Sequence, residues 1–107
     1  MQQRTALPFP PPSRYIPPMS KTESIRNLKR IPGVGPSLSE DLYRLGFTSV
    51  SALADQDPQA MYDRLMELEG CHVDRCVLYV FRCAVYFASE TQHDPARLKW
   101  WNWKDQS

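Results

Sequence analysis

The residues best suited to chemistry lie in the stretch RIPGVGPSLSEDL, positions 30–42. Gly33 and Gly35 bracket Val34 directly after a proline, and a helical apolar period resumes at Leu38. A connection this short between two helices needs positive φ, which glycine adopts without a Cβ penalty. Val34 can point inward and hold the turn against the core. We therefore predict a hairpin that joins two helices.

Such a hairpin could bind a phosphate. The second helix begins at Pro36, so its first N–H groups and the positive end of its dipole face outward. These groups would contact the nucleic-acid backbone and not base edges, so binding would be sequence-independent. We predict weak contacts with duplex or single-stranded DNA from the hairpin and from cations of the preceding helix: Arg26, Lys29, Arg30, Gly33, Val34, Gly35 and Ser37.

The charge distribution supports an anionic partner near the amino terminus. The net charge is only +1, but residues 1–35 carry six basic groups against one acid, whereas residues 36–72 have a net charge of −5. Pro36, the acids Glu40 and Asp41, and the lack of a lysine or arginine just after Gly35 favour an alternative. In that alternative the hairpin is only structural, and the protein is a protein–protein interaction module.

Three cysteines and a histidine occur within thirteen residues of one another. Cys71, His72 and Cys76 could converge at a helix start with His93 as a fourth zinc ligand, but the spacing differs from the usual Cys-x2–4-Cys pairs. Cys76 and Cys83 are two helical turns apart, about 10 Å along the axis. We predict no metal and no cofactor.

Catalytic signals are weak. Cys71 could be a nucleophile near the start of the long helix, where a thiolate is favoured. The sequence has no phosphate-binding loop, no telling pair of carboxylates and no Rossmann glycine pattern. We therefore predict a protein that is not an enzyme and has no catalytic residue.

An aromatic cluster, Trp100, Trp101 and Trp103, has basic neighbours at Arg97 and Lys99. Aromatic rings among cations can stack unpaired bases. In so small a domain, however, we favour packing against the helices, with at most one of these rings exposed.

The elements that position these residues are all helical. Predicted starts are Ser24 or Thr22 for the first helix, Pro36 for the second, and Asp57 and Asp94 as later N-caps. Gly46 and Gly70 are predicted helix ends, and a short helix is expected near 50–54. No period-2 alternation occurs. The predicted fold is an all-α, compact bundle of five or six short helices that contains a helix-hairpin-helix (SAM-like) unit.

The longest predicted helix covers residues 73–90 and is apolar nearly all round. Such a helix is buried nearly all round, so it is either the centre of the bundle or a contact between two copies. Arg75 and Arg82 share one of its faces. They either extend a basic strip or pair with acids near Asp74 and Glu90.

The amino-terminal segment differs in composition from the rest. Residues 1–21 contain six of the ten prolines and are predicted to be an extended or disordered tail; residues 22–105 form the helical domain. We find no apolar run long enough for a transmembrane helix and no signal-peptide core. These features and the odd cysteine count predict a cytoplasmic protein with reduced thiols and no membrane contact.

The runs DRCVLYVFRCAVYFA and WWNWK are more distinctive than the hairpin itself. Together with it they resemble a family of small bacterial helix-hairpin-helix proteins of the pathogenicity-locus or mitomycin-resistance type, over residues 22–105. The resemblance implies a helix-hairpin-helix fold and a presumed link to DNA, without an established activity. It places the hairpin at residues 31–37.

Overall fold

The computed structural model describes residues 20–105. This part of the chain is all helical, with no strand: α1 is Lys21–Leu28, α2 is Pro36–Arg44, α3 is Pro58–Glu69 and α4 is Cys76–Ser89. Three short 3-10 helices complete it: Val50–Leu53, Pro95–Leu98 and Trp100–Trp103. The all-α prediction is confirmed. The predicted proline-rich tail lies outside the described residues, except for its last two positions.

The first helix begins earlier than the sequence predicts. Ser20, and not Ser24 or Thr22, is the N-cap, because its hydroxyl accepts from the Glu23 N–H while the Glu23 carboxylate accepts from the Ser20 N–H. Ser24 lies one turn inside the helix and is fully buried. The prediction was wrong because any of several hydroxyl residues can cap a helix, and the reciprocal bond with Glu23 selects one.

The predicted starts and ends of the second and third helices are confirmed. Pro36 is the first residue of α2, and the Asp57 carboxylate accepts from the N–H groups of Gln59 and Ala60 at the start of α3. Gly46 and Gly70 follow the helix ends with positive φ. The buried face of α3 contains Met61, Tyr62 and Leu65, whereas Leu68 is exposed.

Helix α4 is the centre of the fold, packed against α3 and all three 3-10 helices. It begins at Cys76, three residues later than predicted. The Val73 carbonyl accepts from the Tyr62 hydroxyl, and the Asp74 carboxylate accepts from the Cys76 N–H at 2.8 Å, which together form a turn before the helix. Tertiary contacts therefore shorten a helix that its apolar period would extend.

The core is continuous between the hairpin and α4. Its buried apolar residues come from every α-helix, the hairpin and the first 3-10 helix: Leu28, Ile31, Val34, Leu42, Leu53, Met61, Tyr62, Leu65, Leu78, Val80, Phe81 and Ala84. No large apolar side chain of α4 is exposed, since Leu68 and Trp101 are the exposed ones within residues 20–105. The chain itself thus covers its longest helix. None of the helices in the described part has the length and apolarity that a membrane span requires.

Candidate nucleic-acid interface

The segment between α1 and α2 makes a tight, pinned turn, hereafter the hairpin (residues 31–37). Gly33 has φ +87°, the conformation for which glycine was predicted. The Val34 N–H donates to the Ile31 carbonyl at 3.0 Å, and both side chains are buried. Val34 therefore holds the turn to the core, as predicted, and its side chain is not available to a ligand.

The two glycines of the hairpin differ in what surrounds them. A Cβ built on Gly33 would lie 2.8 Å from Cδ1 of Trp100, so the indole of Trp100 occupies the position from which a side chain would project, although Gly33 itself is exposed. A Cβ built on Gly35 would meet nothing within 4 Å. At the Cβ position the hairpin is therefore filled at Gly33 and open at Gly35.

The start of α2, next to Gly35, has backbone N–H groups without an acceptor in the described part of the chain. Gly35 is the N-cap and forms no side-chain cap. Within residues 20–105, the N–H groups of Gly35, Ser37 and Leu38 have no hydrogen-bond acceptor. The Ser37 side chain is exposed, whereas the buried Ser39 hydroxyl donates back to the Pro36 carbonyl at 2.9 Å. Pro36 has no N–H group, so the donors that remain at this helix start are the N–H groups of Gly35, Ser37 and Leu38.

The cations of the preceding helix are exposed and unneutralised. Arg26, Lys29 and Arg30 are all exposed, and none forms an ion pair within the described part of the chain. Arg26 and Lys29 share a surface pocket of about 330 Å³ with Lys21 and Glu40, between α1 and α2. The structure therefore places three cations on and just beyond α1, next to the hairpin in the chain.

The two acids that follow the hairpin are each paired with a cation. Lys21 Nζ lies 2.6 Å from the Glu40 carboxylate, and this hydrogen bond raises the pKa of Lys21. Arg44 lies 3.4 Å from Asp41 and 2.6 Å from Glu69. Partial burial raises the pKa of Asp41, while the Arg44 charge opposes that rise. These pairings reduce the negative field that Glu40 and Asp41 would otherwise impose near the start of α2.

The tryptophan cluster belongs mainly to the fold, as favoured from the sequence. Trp100 packs on the core beside the hairpin. The Trp103 indole N–H donates to the Arg97 carbonyl at 2.7 Å, and its ring lies 5.5 Å from that of Tyr86. Trp101 is 49% exposed and is the only one of the three in the exposed class.

The basic residues of α4 have a different partner from the predicted one. Arg75 and Arg82 both bind the Asp105 carboxylate, 30 and 23 residues away in the chain, and not acids near Asp74 or Glu90. The Tyr79 hydroxyl also donates to Asp105. The hydrogen bonds from Arg75 and Arg82 lower the pKa of Asp105 to about 2. The two guanidinium groups therefore anchor the carboxyl-terminal segment.

The cysteines and histidines do not come together. Within residues 20–105 no three side chains of His, Cys, Asp or Glu are grouped as a metal site would require. His93 stacks on Phe87 near the end of α4, whereas Cys71 and Cys76 lie before and at its start. Cys71 follows the end of α3 and is five residues from α4, so it is not at a helix start. Burial raises the pKa of Cys83 to about 11.

Comparison with known proteins assigns the chain to a family. The sequence profile of the family described as "Pathogenicity locus" (Cdd1) matches residues 21–107. This chain belongs to the pathogenicity-locus family. A relative from Streptomyces lavendulae, named mitomycin resistance protein McrB, is 31% identical over 77 residues, which are 72% of this chain and 70% of the relative. No solved structure matches.

Proposed function

We propose that this pathogenicity-locus protein is a non-catalytic nucleic-acid-binding module of the cytoplasm, in which α1, the hairpin and α2 act as a helix-hairpin-helix unit. The phosphate backbone binds at the open side of the hairpin, irrespective of base sequence. The observation that carries the proposal is the set of N–H donors of Gly35, Ser37 and Leu38 at the start of α2, which have no acceptor among residues 20–105. Backbone donors at a helix start, with the dipole behind them, favour phosphate.

The cations strengthen this proposal. Arg26, Lys29 and Arg30 are exposed and lack an acidic partner in the described part of the chain, so they remain available to phosphates flanking the bound one. Each phosphate that a cation neutralises releases counterions, which makes binding weaken as salt rises. Because Glu40 and Asp41 are paired with Lys21 and Arg44, their charge opposes an approaching strand less than their sequence position suggests.

A substitution at Gly35 can block the donors without disturbing the fold. Gly35 has φ −102° and ψ −163°, ordinary for an N-cap, and a new side chain there meets open space. In Gly35→Asp the carboxylate accepts from the N–H groups of Ser37 and Leu38 and so occupies the phosphate position. An aspartate N-cap should stabilise the helix by about a few tenths of a kcal/mol relative to glycine. In Gly35→Ala the donors stay free.

The test is a fluorescence-anisotropy titration of labelled duplex and single-stranded DNA at several salt concentrations. We expect wild-type affinity to fall steeply with salt. Gly35→Asp should lose about tenfold or more, since charge-assisted hydrogen bonds are replaced by repulsion. Gly35→Ala should stay within about twofold of wild type, as surface substitutions usually do. If Gly35→Asp bound DNA with the same affinity as wild type, the proposal would be contradicted.

The alternative, a protein–protein interaction module, rests on one observation: α2 carries no cation in its first turn. It also needs an open apolar surface. The large apolar side chains of α4 are buried or half-buried, which makes the long helix a poor contact for a second copy. Complete absence of DNA binding at low salt would favour this alternative.

A further inference from the structure

Trp101 is the one tryptophan that the fold does not use fully. Trp100 fills the space beside Gly33, and Trp103 is fixed by Tyr86 and Arg97. Trp101 contacts Trp100 edge-to-face, with ring centroids 5.8 Å apart, and is 49% exposed. Exposure of the indole ring to water costs hydrophobic free energy, which a ligand that covers its face would recover.

This ring is held in place before any ligand arrives. The Asn102 amide donates to the Ala96 carbonyl at 2.7 Å, and Arg82 donates to the Trp103 carbonyl at 2.7 Å. Asp105 then binds Arg75 and Arg82 beyond the last 3-10 helix. Because the segment on both sides of Trp101 is already immobilised, a ligand that stacks on it does not have to order it.

The charges around Trp101 select the class of ligand. Residues 97–104 contain Arg97, Lys99 and Lys104 and no acid. Lys99 and Lys104 are exposed and form no ion pair within residues 20–105. The other exposed large apolar side chain in this range is Leu68, on α3, and the charged residues nearest to the Trp101 ring in the chain are the cations Lys99 and Lys104. Such a ring suits a nucleobase on a charged backbone better than an apolar protein surface.

The hairpin contacts the segment that carries Trp101. Trp100 packs on Gly33, so this contact lies one residue from Trp101 and two residues from Gly35 in the chain. We propose that Trp101 is a stacking platform for an unpaired base of the strand whose phosphate binds at the hairpin, which makes the protein selective for single-stranded nucleic acid over duplex. This inference rests on the proposed function, because the hairpin supplies the neighbouring phosphate contact.

The stacking contact can be tested from both partners, by removing bases from the DNA and by removing the Trp101 ring from the protein. We would titrate three DNA probes of equal length by fluorescence anisotropy: a single strand, the same strand with abasic sites in place of its nucleotides' bases, and a duplex. The protein is full-length, as wild type, Trp101→Ala, Trp101→Phe and Leu68→Ala. Leu68→Ala is the matched control because it removes the other exposed large apolar side chain.

We expect Trp101→Ala to weaken binding to the normal single strand by about five- to hundredfold, the usual value of one stacked base. Its affinities for the abasic strand and the duplex should equal those of wild type. Trp101→Phe should retain most of the stacking, and Leu68→Ala should match wild type on every probe. Circular dichroism of each variant checks that the helices are unchanged.

Two results would overturn the stacking role: an equal loss by Trp101→Ala on all three probes, or no loss on any. If Gly35→Asp still abolishes binding in that case, the hairpin proposal stands and only the role of Trp101 is wrong. If wild type binds none of the probes, both proposals are wrong, and Trp101 is left as a contact for a protein partner.

Discussion

Gly33 and Gly35 lie two residues apart in the same hairpin, yet a side chain could project freely from only one of them. Trp100 occupies the Cβ position of Gly33, whereas a Cβ on Gly35 would meet nothing within 4 Å. The same division extends to the cations. Arg75 and Arg82, on the side of the carboxyl-terminal segment, bind Asp105, whereas Arg26, Lys29 and Arg30 bind no acid within the described residues. The sequence therefore does not show whether a given glycine or cation is used by the fold or is available to a ligand. That depends on which segment of the chain packs against it.

The sharpest test of this comparison is the same substitution at both glycines. Gly33→Ala should lower the free energy of unfolding by about 3 kcal/mol, because it forces a non-glycine residue to φ +87° and overpacks Trp100. Gly35→Ala should lower it by less, about 0.5 to 1 kcal/mol, because alanine is a poorer N-cap than glycine. Urea unfolding followed by circular dichroism measures both. Equal losses would mean that Trp100 does not close the Gly33 side.

Removing the exposed cations beside the hairpin should weaken DNA binding and leave the free energy of unfolding nearly unchanged. In the triple variant Arg26→Ala, Lys29→Ala and Arg30→Ala, we expect about a tenfold loss of DNA affinity for each cation that contacts a phosphate, with a salt dependence shallower by about 0.9 per contact. A single Lys29→Ala variant is compared with Arg64→Ala, which removes an exposed cation of α3. If Arg64→Ala weakened binding as much as Lys29→Ala, the contact would be diffuse and not centred on the hairpin.

The stability that Asp105 contributes through Arg75 and Arg82 should decrease in acid. The pKa of Asp105 is about 2 in the folded protein, because Arg75 and Arg82 bind its carboxylate, and near 3.9 in an unfolded chain. A carboxyl whose pKa is lowered on folding stabilises the fold above the unfolded pKa, and this contribution is lost as pH falls from about 4 to about 2. Asp105→Asn should therefore lower the urea midpoint at pH 6, with the difference from wild type vanishing near pH 2. A constant difference across this range would contradict the anchoring role.

The smallest expected effect concerns the thiols. Cys71 and Cys76 are exposed and Cys83 is buried, so two thiols should react with a thiol reagent at pH 8 and the third only after unfolding. Burial raises the folded pKa of Cys83 to about 11, above an unfolded value near 8.5. Stability from this group is complete below the unfolded pKa and declines as pH rises towards 11. Rapid reaction of all three native thiols would show that the α4 interface opens readily.

Much of the fold follows from local signals in the sequence. The Asp57 cap, the Pro36 start and the helix ends at Gly46 and Gly70 occur as predicted, because each depends on a few neighbouring residues. The burial of Val34 and the limit of one exposed tryptophan were also predicted correctly. The start of α1 was wrong because neighbouring residues compete as caps, and the start of α4 was wrong because Tyr62, eleven residues away from Val73, binds the carbonyl there.

The candidate site was only partly predictable. The sequence indicates the hairpin, its glycines and the cations Arg26, Lys29 and Arg30, all within residues 26–37. It does not reveal that Trp100 covers Gly33 or that Asp105 binds two arginines of α4. A run of aromatic residues after a proline is a signal that a segment packs back on the domain, but it does not identify the surface.

By itself, the sequence determined that this protein is all-α, where most of its helices begin and end, and which short turn presents backbone donors. Those properties arise from interactions between residues a few positions apart, which periodicity and capping express directly. Only the tertiary structure decided which glycine is open, which cations are neutralised and which tryptophan is exposed. Each of these depends on contacts between segments 20 to 70 residues apart, and burial and pairing across such distances are set by how the whole core packs.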